Sequence, residues 1–178
     1  MDIKRKIYSR IKEWKKESKG KKALLIEGAR RIGKSTVAKE IGENEYESYV
    51  VIDFNKASKK IKDAFDDLND LDIFFQTVSL EYGVKLYSSE AIKYWVADGR
   101  YDYSETGSLI SIRENVEGIT IPSEERKFKM YPVDFEEFMD YMGEQVLMEY
   151  IKSCFEKKIA LDQKYHAKAM HLFKEYML

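Results

Sequence analysis

One short stretch constrains the fold more than any other part of the chain. Residues 28–35 read GARRIGKS and match the pattern G-x-x-x-x-G-K-[ST] without a gap. The continuous apolar run at 23–27 predicts a strand buried on both faces, and residues 36–42 carry a helical pattern. The β-branched run at 49–54 predicts a second strand. Strand, glycine-rich loop, helix and strand in this order predict a βαβ unit, a parallel sheet and an α/β fold.

The residue types of this motif suit a phosphate group. Gly28 and Gly33 permit backbone conformations that a Cβ would block, which lets the N–H groups of the loop turn inward. The helix that follows adds about half a positive charge at its N-terminus. Lys34 supplies a compact cation for the β- and γ-phosphates, Ser35 offers Mg²⁺ a hard oxygen ligand, and Thr36 is placed near the α-phosphate. The predicted nucleotide-binding residues of this loop are Gly28, Ala29, Arg30, Arg31, Ile32, Gly33, Lys34, Ser35 and Thr36.

Composition narrows the class of protein. The 178 residues include 31 Lys+Arg and 32 Asp+Glu, so the bulk charge gives no support for nucleic-acid binding. The single cysteine, Cys154, cannot form an internal disulfide, which favours a reducing, cytoplasmic compartment and argues against a structural zinc site. The chain has no run of 18 apolar residues, so we expect no membrane-spanning segment.

The remaining pattern alternates helices with two further strands. Apolar spacing predicts helices at 2–18, 57–68, 71–82, 91–97, 134–150 and 155–177, and strands at 101–106 and 126–131. The first helix places Ile3, Ile7, Ile11 and Trp14 on one face. The residues expected to face inward in the last two helices are Phe135, Phe138, Met142, Val146, Phe155, Leu172, Phe173 and Tyr176.

Three segments together resemble prokaryotic AAA-type P-loop ATPases: GARRIGKS, Glu105-Thr106-Gly107-Ser108, and MYPVDFEEF at 130–138. The resemblance implies ATP and Mg²⁺ as ligands and a three-layer αβα fold around a five-stranded parallel sheet of order 5-1-4-3-2. Residues 23–27, 49–54, 101–106 and 126–131 would be strands one, two, four and five. An ATPase core would then span 1–132, and 133–178 would begin a helical lid of a longer protein.

The resemblance also assigns roles outside the loop. Thr106 or Ser108 would lie near the γ-phosphate as a polar sensor, the alternative being a plain turn. Arg126 would act, with Lys34, as a catalytic residue, on the nucleotide of a neighbouring subunit in a self-associated protein. The alternative for Arg126 is a surface charge beside Glu124 and Glu125. Arg30 and Arg31 either steer the triphosphate electrostatically or are simply solvated.

One element of the family pattern is missing. Such an ATPase carries a third strand, the Walker B strand, that ends in Asp-Glu, where the Asp holds Mg²⁺ and the Glu activates the attacking water. Residues 81–100 read EYGVKLYSSEAIKYWVADGR and contain no apolar strand followed by Asp-Glu. The predicted sheet therefore lacks one strand, and we expect hydrolysis to suffer more than nucleotide binding.

Other carboxylates leave alternatives open. Asp53 follows an apolar run and could join Ser35 as a metal ligand, or it could cap the next turn; Glu90 and Asp98 are further candidates. A small-molecule or nucleoside kinase that uses Asp53 as its base is a second hypothesis, although clustered lid arginines are lacking. A nucleotide-binding remnant without catalysis is a third.

Overall fold

The computed structural model describes residues 3–19, 22–66, 71–86, 102, 104–108 and 125–178. Helices in this part of the chain are α1 (Lys6–Ser18), α2 (Lys34–Glu45), α3 (Lys59–Asp66), α4 (Leu71–Tyr82), α5 (Phe135–Tyr141), α6 (Gln145–Lys157) and α7 (Gln163–Met177). Strands are β1 (Ala23–Gly28), β2 (Ser104–Ser108) and β3 (Glu125–Lys129). The contacts divide the chain into two units, residues 9–130 and residues 1–8 with 131–178.

A parallel three-stranded sheet forms the centre of the first unit, in the order β2-β1-β3. β1 takes the central place because its side chains are apolar on both faces, and Leu24, Leu25 and Ile26 are all buried. Each such side chain contributes roughly 1.5–3 kcal/mol when it leaves water. The α/β class and the parallel sheet expected from the sequence are therefore confirmed, and β1 covers the predicted run 23–27.

The prediction of a strand at 49–54 is wrong. Residues 49–53 have no regular secondary structure, and a turn begins at Phe54. A strand needs a hydrogen-bonding neighbour. In the implied order 5-1-4-3-2 this segment would pair only with the third strand, and residues 81–100 contain no apolar run ending in Asp-Glu that would form it. Val50 and Ile52 pack instead against an apolar cluster formed by the next two helices. Local β propensity therefore did not decide the structure here.

That apolar cluster explains how α3 and α4 are held. Its buried members are Ile61, Phe74, Phe75 and Val78. Phe65 meets the rings of Phe54 and Phe74 edge to face, each at 4.8 Å between centroids. The helices predicted at 57–68 and 71–82 are confirmed as α3 and α4, although α3 begins only at Lys59. Residues 67 and 68 lie outside the described part.

The other two strands lie close to their predicted places. β2 begins at Ser104 and continues through Gly107 and Ser108, beyond the predicted end at Thr106. β3 begins at Glu125, and its Phe128 and the following Met130 are both buried, as their alternation predicted. The predicted helix at 91–97 lies outside the described residues.

The first helix has the predicted apolar face except for Ile3, which precedes the helix and is only partly buried. α1 begins at Lys6, and its Ile7, Ile11 and Trp14 are buried. In the first unit α1 lies beside β3, since the guanidinium of Arg10 is 4.6 Å from the centroid of the Phe128 ring. α2 packs against β1 and β2 through its buried Val37 and Ile41.

Two predicted helix boundaries in the second unit are wrong. The single helix expected at 134–150 is two helices, because the chain turns at Gly143 with φ +77°. The helix expected at 155–177 starts only at Gln163, since α6 runs to Lys157 and ends at Lys158 with φ +55°. As a result Phe155 and Val146, expected to face inward, are 84% and 80% exposed, and Met142 is exposed too.

The core of the second unit follows the rest of the prediction. Met139, Leu147 and Leu172 are buried, and Phe135, Phe138, Phe173 and Tyr176 form aromatic contacts around them. Tyr176 also donates its hydroxyl to the carbonyl oxygen of Val133 at 2.8 Å.

A buried carboxylate connects the start of the chain to this unit. Asp134 and Glu137 form a reciprocal cap at the start of α5. The Glu137 carboxylate also accepts hydrogen bonds from the Lys6 backbone at 2.7 Å and from Arg5 Nε at 3.2 Å. Because Glu137 and Arg5 are both buried, this ion pair lies in a low-dielectric environment.

We expect Glu137→Ala to lower the free energy of unfolding by about 3 kcal/mol, because it leaves the buried Arg5 guanidinium without this carboxylate. Glu136→Ala is the matched control, since Glu136 pairs with Lys6 and Lys152 at the surface and should cost under about 1 kcal/mol. Urea denaturation measures both changes. Equal losses in the two variants would contradict this account of the cap.

A second prediction concerns the end of β1. Gly28 has φ +154°, and a Cβ at this position would lie 2.4 Å from the carbonyl oxygen of Met130. We expect Gly28→Ala to destabilise the fold by about 2–4 kcal/mol, because a backbone clash adds to the cost of the positive φ. Gly83 has φ +65° and no described atom within 4 Å of a built Cβ, so Gly83→Ala should cost only about 1 kcal/mol. Urea denaturation curves showing a smaller loss for Gly28→Ala than for Gly83→Ala would refute the proposed clash.

Candidate functional site

The glycine-rich motif forms the connection between β1 and α2. Gly28 ends the strand, and Lys34 begins the helix. Gly33 is the N-cap of α2 with φ +88°, a left-handed conformation that favours glycine. Since glycine has no side chain, Gly33 makes no side-chain hydrogen bond to the first N–H groups of α2, and these groups lack partners within the helix. The N-terminus of α2 is thus a place where an anion is favoured.

Lys34 is directed into this loop. Its side chain is only 9% exposed, and its Nζ donates to the carbonyl oxygen of Gly28 at 3.1 Å and of Ala29 at 2.5 Å. Burial lowers the pKa of the Lys34 ammonium below its ordinary value, because the charged form loses hydration. The structure thus places a partly desolvated cation at the mouth of α2, bound to backbone oxygens.

Two hydroxyl groups meet at the edge of this site. Ser35 Oγ lies 3.3 Å from Thr106 Oγ1. The parallel register explains their proximity, because Thr106 of β2 lies opposite Ile26 of β1, shortly before the loop. Ser108, the other predicted sensor, has its backbone in register with Gly28. Hydroxyl oxygens of this kind are hard ligands that suit Mg²⁺.

The other loop residues line its outer surface. Ala29, Arg30, Arg31 and Thr36 are exposed, while Ile32 is partly buried. Arg31 has φ +63°, an uncommon conformation for a residue with a side chain. Both arginines therefore remain accessible to solvent beside the loop.

Two predicted site residues make other contacts. The Asp53 carboxylate accepts from the Asn55 N–H at 3.0 Å and lies 3.9 Å from Lys56 Nζ, while the Asp53 carbonyl accepts from the N–H of Lys56 and Ala57. Asp53 thus caps its own turn. Arg126 pairs with Glu17 of the same chain at 2.5 Å, with about half of its side chain exposed. Glu90 and Asp98 lie outside the described residues.

One contact near the site was not anticipated from the sequence. The hydroxyl of Tyr46, which follows α2, donates to Asp102 Oδ2 at 2.5 Å. The two residues are 56 positions apart, and neither belongs to a recognisable motif. Sequence periodicity carries no signal for such a pair, because the contact depends on how α2 packs against the segment before β2.

Two classes of site are not found in the described part of the chain. Its His, Cys, Asp and Glu side chains form no group of three or more that could hold a metal ion. None of its helices combines the length and the apolar character that crossing a bilayer requires.

A family model agrees with this geometry, whereas no curated protein and no solved structure matches the chain. A family model described as an AAA domain matches residues 20–139, about two thirds of the 178-residue chain, and includes the loop, the three strands and the first part of α5. The chain therefore belongs to the AAA domain family, whose phosphate-binding loop makes it a nucleotide-binding domain of the P-loop class.

Proposed function

We propose that the protein binds ATP together with Mg²⁺ at residues 28–36. The observation that carries this proposal is the buried Lys34 ammonium held by the Gly28 and Ala29 carbonyls at the start of α2. A triphosphate offers this cation charged oxygens in place of neutral carbonyls, and charge-assisted hydrogen bonds are the stronger kind. The N-terminus of α2 adds favourable potential for the same anion.

Magnesium fits the same site. Ser35 is the proposed protein ligand, and the neighbouring Thr106 hydroxyl offers a second hard oxygen at 3.3 Å from it. Mg²⁺ commonly takes one or two protein ligands and completes its shell with water and phosphate oxygens. Such an ion does not require a group of three His, Cys, Asp or Glu side chains, and the described part of the chain has no such group.

Hydrolysis should be impaired. The sequence lacks an apolar strand ending in Asp-Glu, and so lacks the carboxylate that would activate water. Asp53 could substitute for this carboxylate, but it already accepts hydrogen bonds from the backbone N–H groups of its own turn. The same contacts weaken the kinase hypothesis, which requires Asp53 as a base. A nucleotide-binding module with little or no turnover is the function that the site supports best.

Two further proposals concern the second unit and the compartment. We propose that residues 133–178 belong to a helical lid, on the resemblance, and that the protein is cytoplasmic, on its single cysteine. A role for Arg126 on a neighbouring subunit would require it to leave Glu17, so its pairing supports the surface-charge alternative. Thr106 is the favoured sensor, since it contacts Ser35.

The central test replaces the lysine. We expect Lys34→Ala to weaken MgATP binding by about a hundredfold or more, because it removes the cation that charge-assisted bonds to phosphate require. Lys39→Ala is the matched control, since Lys39 lies on the same helix with its side chain 60% exposed and should leave affinity unchanged. Isothermal titration calorimetry measures all three proteins. Equal ATP affinity in wild type and Lys34→Ala would overturn the proposal.

A separate test concerns turnover. We expect phosphate release from ATP to stay near the uncatalysed background, since no Asp-Glu strand supplies a base. A malachite-green assay on the wild type and on Asp53→Asn, Glu90→Gln and Asp98→Asn decides this. Robust release that survives all three replacements would show that catalysis does not need the missing motif or its substitutes.

A further inference from the structure

α2 and β2 are connected by side-chain contacts near both ends of the helix. At the N-terminal end, Ser35 meets Thr106 at 3.3 Å. At the C-terminal end, Tyr46 is the C-cap of α2, and its hydroxyl donates to Asp102 at 2.5 Å. Asp102 lies two positions before β2 begins at Ser104. α2 and β2, which carry the Ser35 and Thr106 hydroxyls, are therefore also connected at the C-terminal end of α2, away from the loop.

The Asp102 carboxylate receives its hydrogen bond from the Tyr46 hydroxyl. Its second oxygen, Oδ1, is shielded from solvent and has no hydrogen-bond partner among the residues that the structure describes. A shielded oxygen without a donor destabilises the folded state, so loss of the Tyr46 hydrogen bond would destabilise it further. The arrangement in which the Tyr46 hydroxyl reaches Asp102 is therefore favoured, and it restricts the position of Asp102 more than a solvent-exposed hydrogen bond would.

Tyr46 is itself held in place. Lys15 Nζ lies 3.8 Å from the centroid of the Tyr46 ring and also donates to the carbonyl oxygen of Glu45, the last residue of α2. Burial and the hydrogen bond to Asp102 raise the pKa of the Tyr46 hydroxyl above its ordinary value. The hydroxyl therefore keeps its proton, and remains a donor, over the neutral range in which nucleotide binding is measured.

We infer that Tyr46 is a positioning residue for the nucleotide site, whose hydrogen bond to Asp102 holds β2 where Thr106 reaches Ser35. This inference rests on the proposed function, in which Ser35 is the Mg²⁺ ligand. The separation of 3.3 Å is already long for two hydroxyls, so a displacement of about an ångström would part them. The Mg²⁺-dependent part of ATP affinity should respond to such a displacement, whereas binding of the phosphates by Lys34 should not.

The test compares two tyrosine hydroxyls. Tyr46→Phe removes the contact to Asp102, and Tyr49→Phe is its matched control, because the Tyr49 hydroxyl donates to Glu43 of α2 itself at 3.1 Å and is exposed. ATP is titrated into the full chain by calorimetry, once with Mg²⁺ and once with EDTA. Tyr46→Phe should lose roughly three- to tenfold in MgATP affinity, the value of one hydrogen bond, and stay within about twofold of wild type in EDTA. Tyr49→Phe should match wild type in both.

The outcomes separate the inference from the proposed function. Wild-type MgATP affinity in a folded Tyr46→Phe protein would overturn the inference, and so would an equal loss with and without Mg²⁺, which indicates general loosening. A wild type that binds no ATP would overturn both claims. Lys34-dependent binding with no effect of Tyr46→Phe would leave the proposed function standing alone.

A second variant covers the case in which Tyr46→Phe does not fold. Asp102→Asn keeps an acceptor oxygen for the Tyr46 hydroxyl while it removes the negative charge. MgATP affinity within about twofold of wild type would support positioning through the hydrogen bond. A tenfold or greater loss would show that the charge of Asp102, and not its hydrogen bond, matters, and would overturn the inference.

Discussion

The hydrogen bonds between the Lys34 ammonium and the Gly28 and Ala29 carbonyls are the interaction on which the site depends. A lysine at the start of a helix opposes the positive end of the helix dipole, and burial adds a desolvation cost that lowers its pKa. Both effects disfavour the cation, and the loop carbonyls offset them only in part. An anion with several oxygens removes the conflict, since it satisfies the ammonium and the helix terminus together. The site therefore favours a phosphate group.

The surrounding structure serves to place this loop. β1 is buried on both faces and fixes the strand from which the loop leaves, while β2 and β3 pair with it in parallel. Parallel pairing brings the carboxyl ends of β1 and β2 to one edge, where Thr106 meets Ser35. The apolar segment at 49–54 has no sheet neighbour among the described strands and packs against the cluster around Ile61 and Phe74. The proposed nucleotide binding and the proposed impairment of hydrolysis are compatible, because they depend on different strands of the family fold.

The sequence predicted what local chemistry determines and failed where long-range pairing decides. The residue types and spacing at 28–35 determine the local backbone conformation, so the loop, β1 and the start of α2 could be predicted. The segment at 49–54 has strong β propensity but no neighbour among the described strands, and propensity cannot reveal whether a neighbour is present. Gly143 is a glycine inside an otherwise continuous helical pattern and so indicates a break, whereas the sequence around Lys158 does not predict its positive φ. The contact of Tyr46 with Asp102 depends on packing between distant segments, and no pattern in the sequence marks it.

The most direct measurement of the central claim is the melting temperature of the protein with equal concentrations of AMP, ADP and ATP in the presence of Mg²⁺. A ligand that binds only the folded state raises the melting temperature, because it stabilises that state by RT ln(1 + L/Kd), where L is the free ligand concentration. Because Lys34 is proposed to hold the β- and γ-phosphates, ADP and ATP should raise the melting temperature and AMP should not. Equal stabilisation by AMP and ATP, or none by any of the three, would contradict the account.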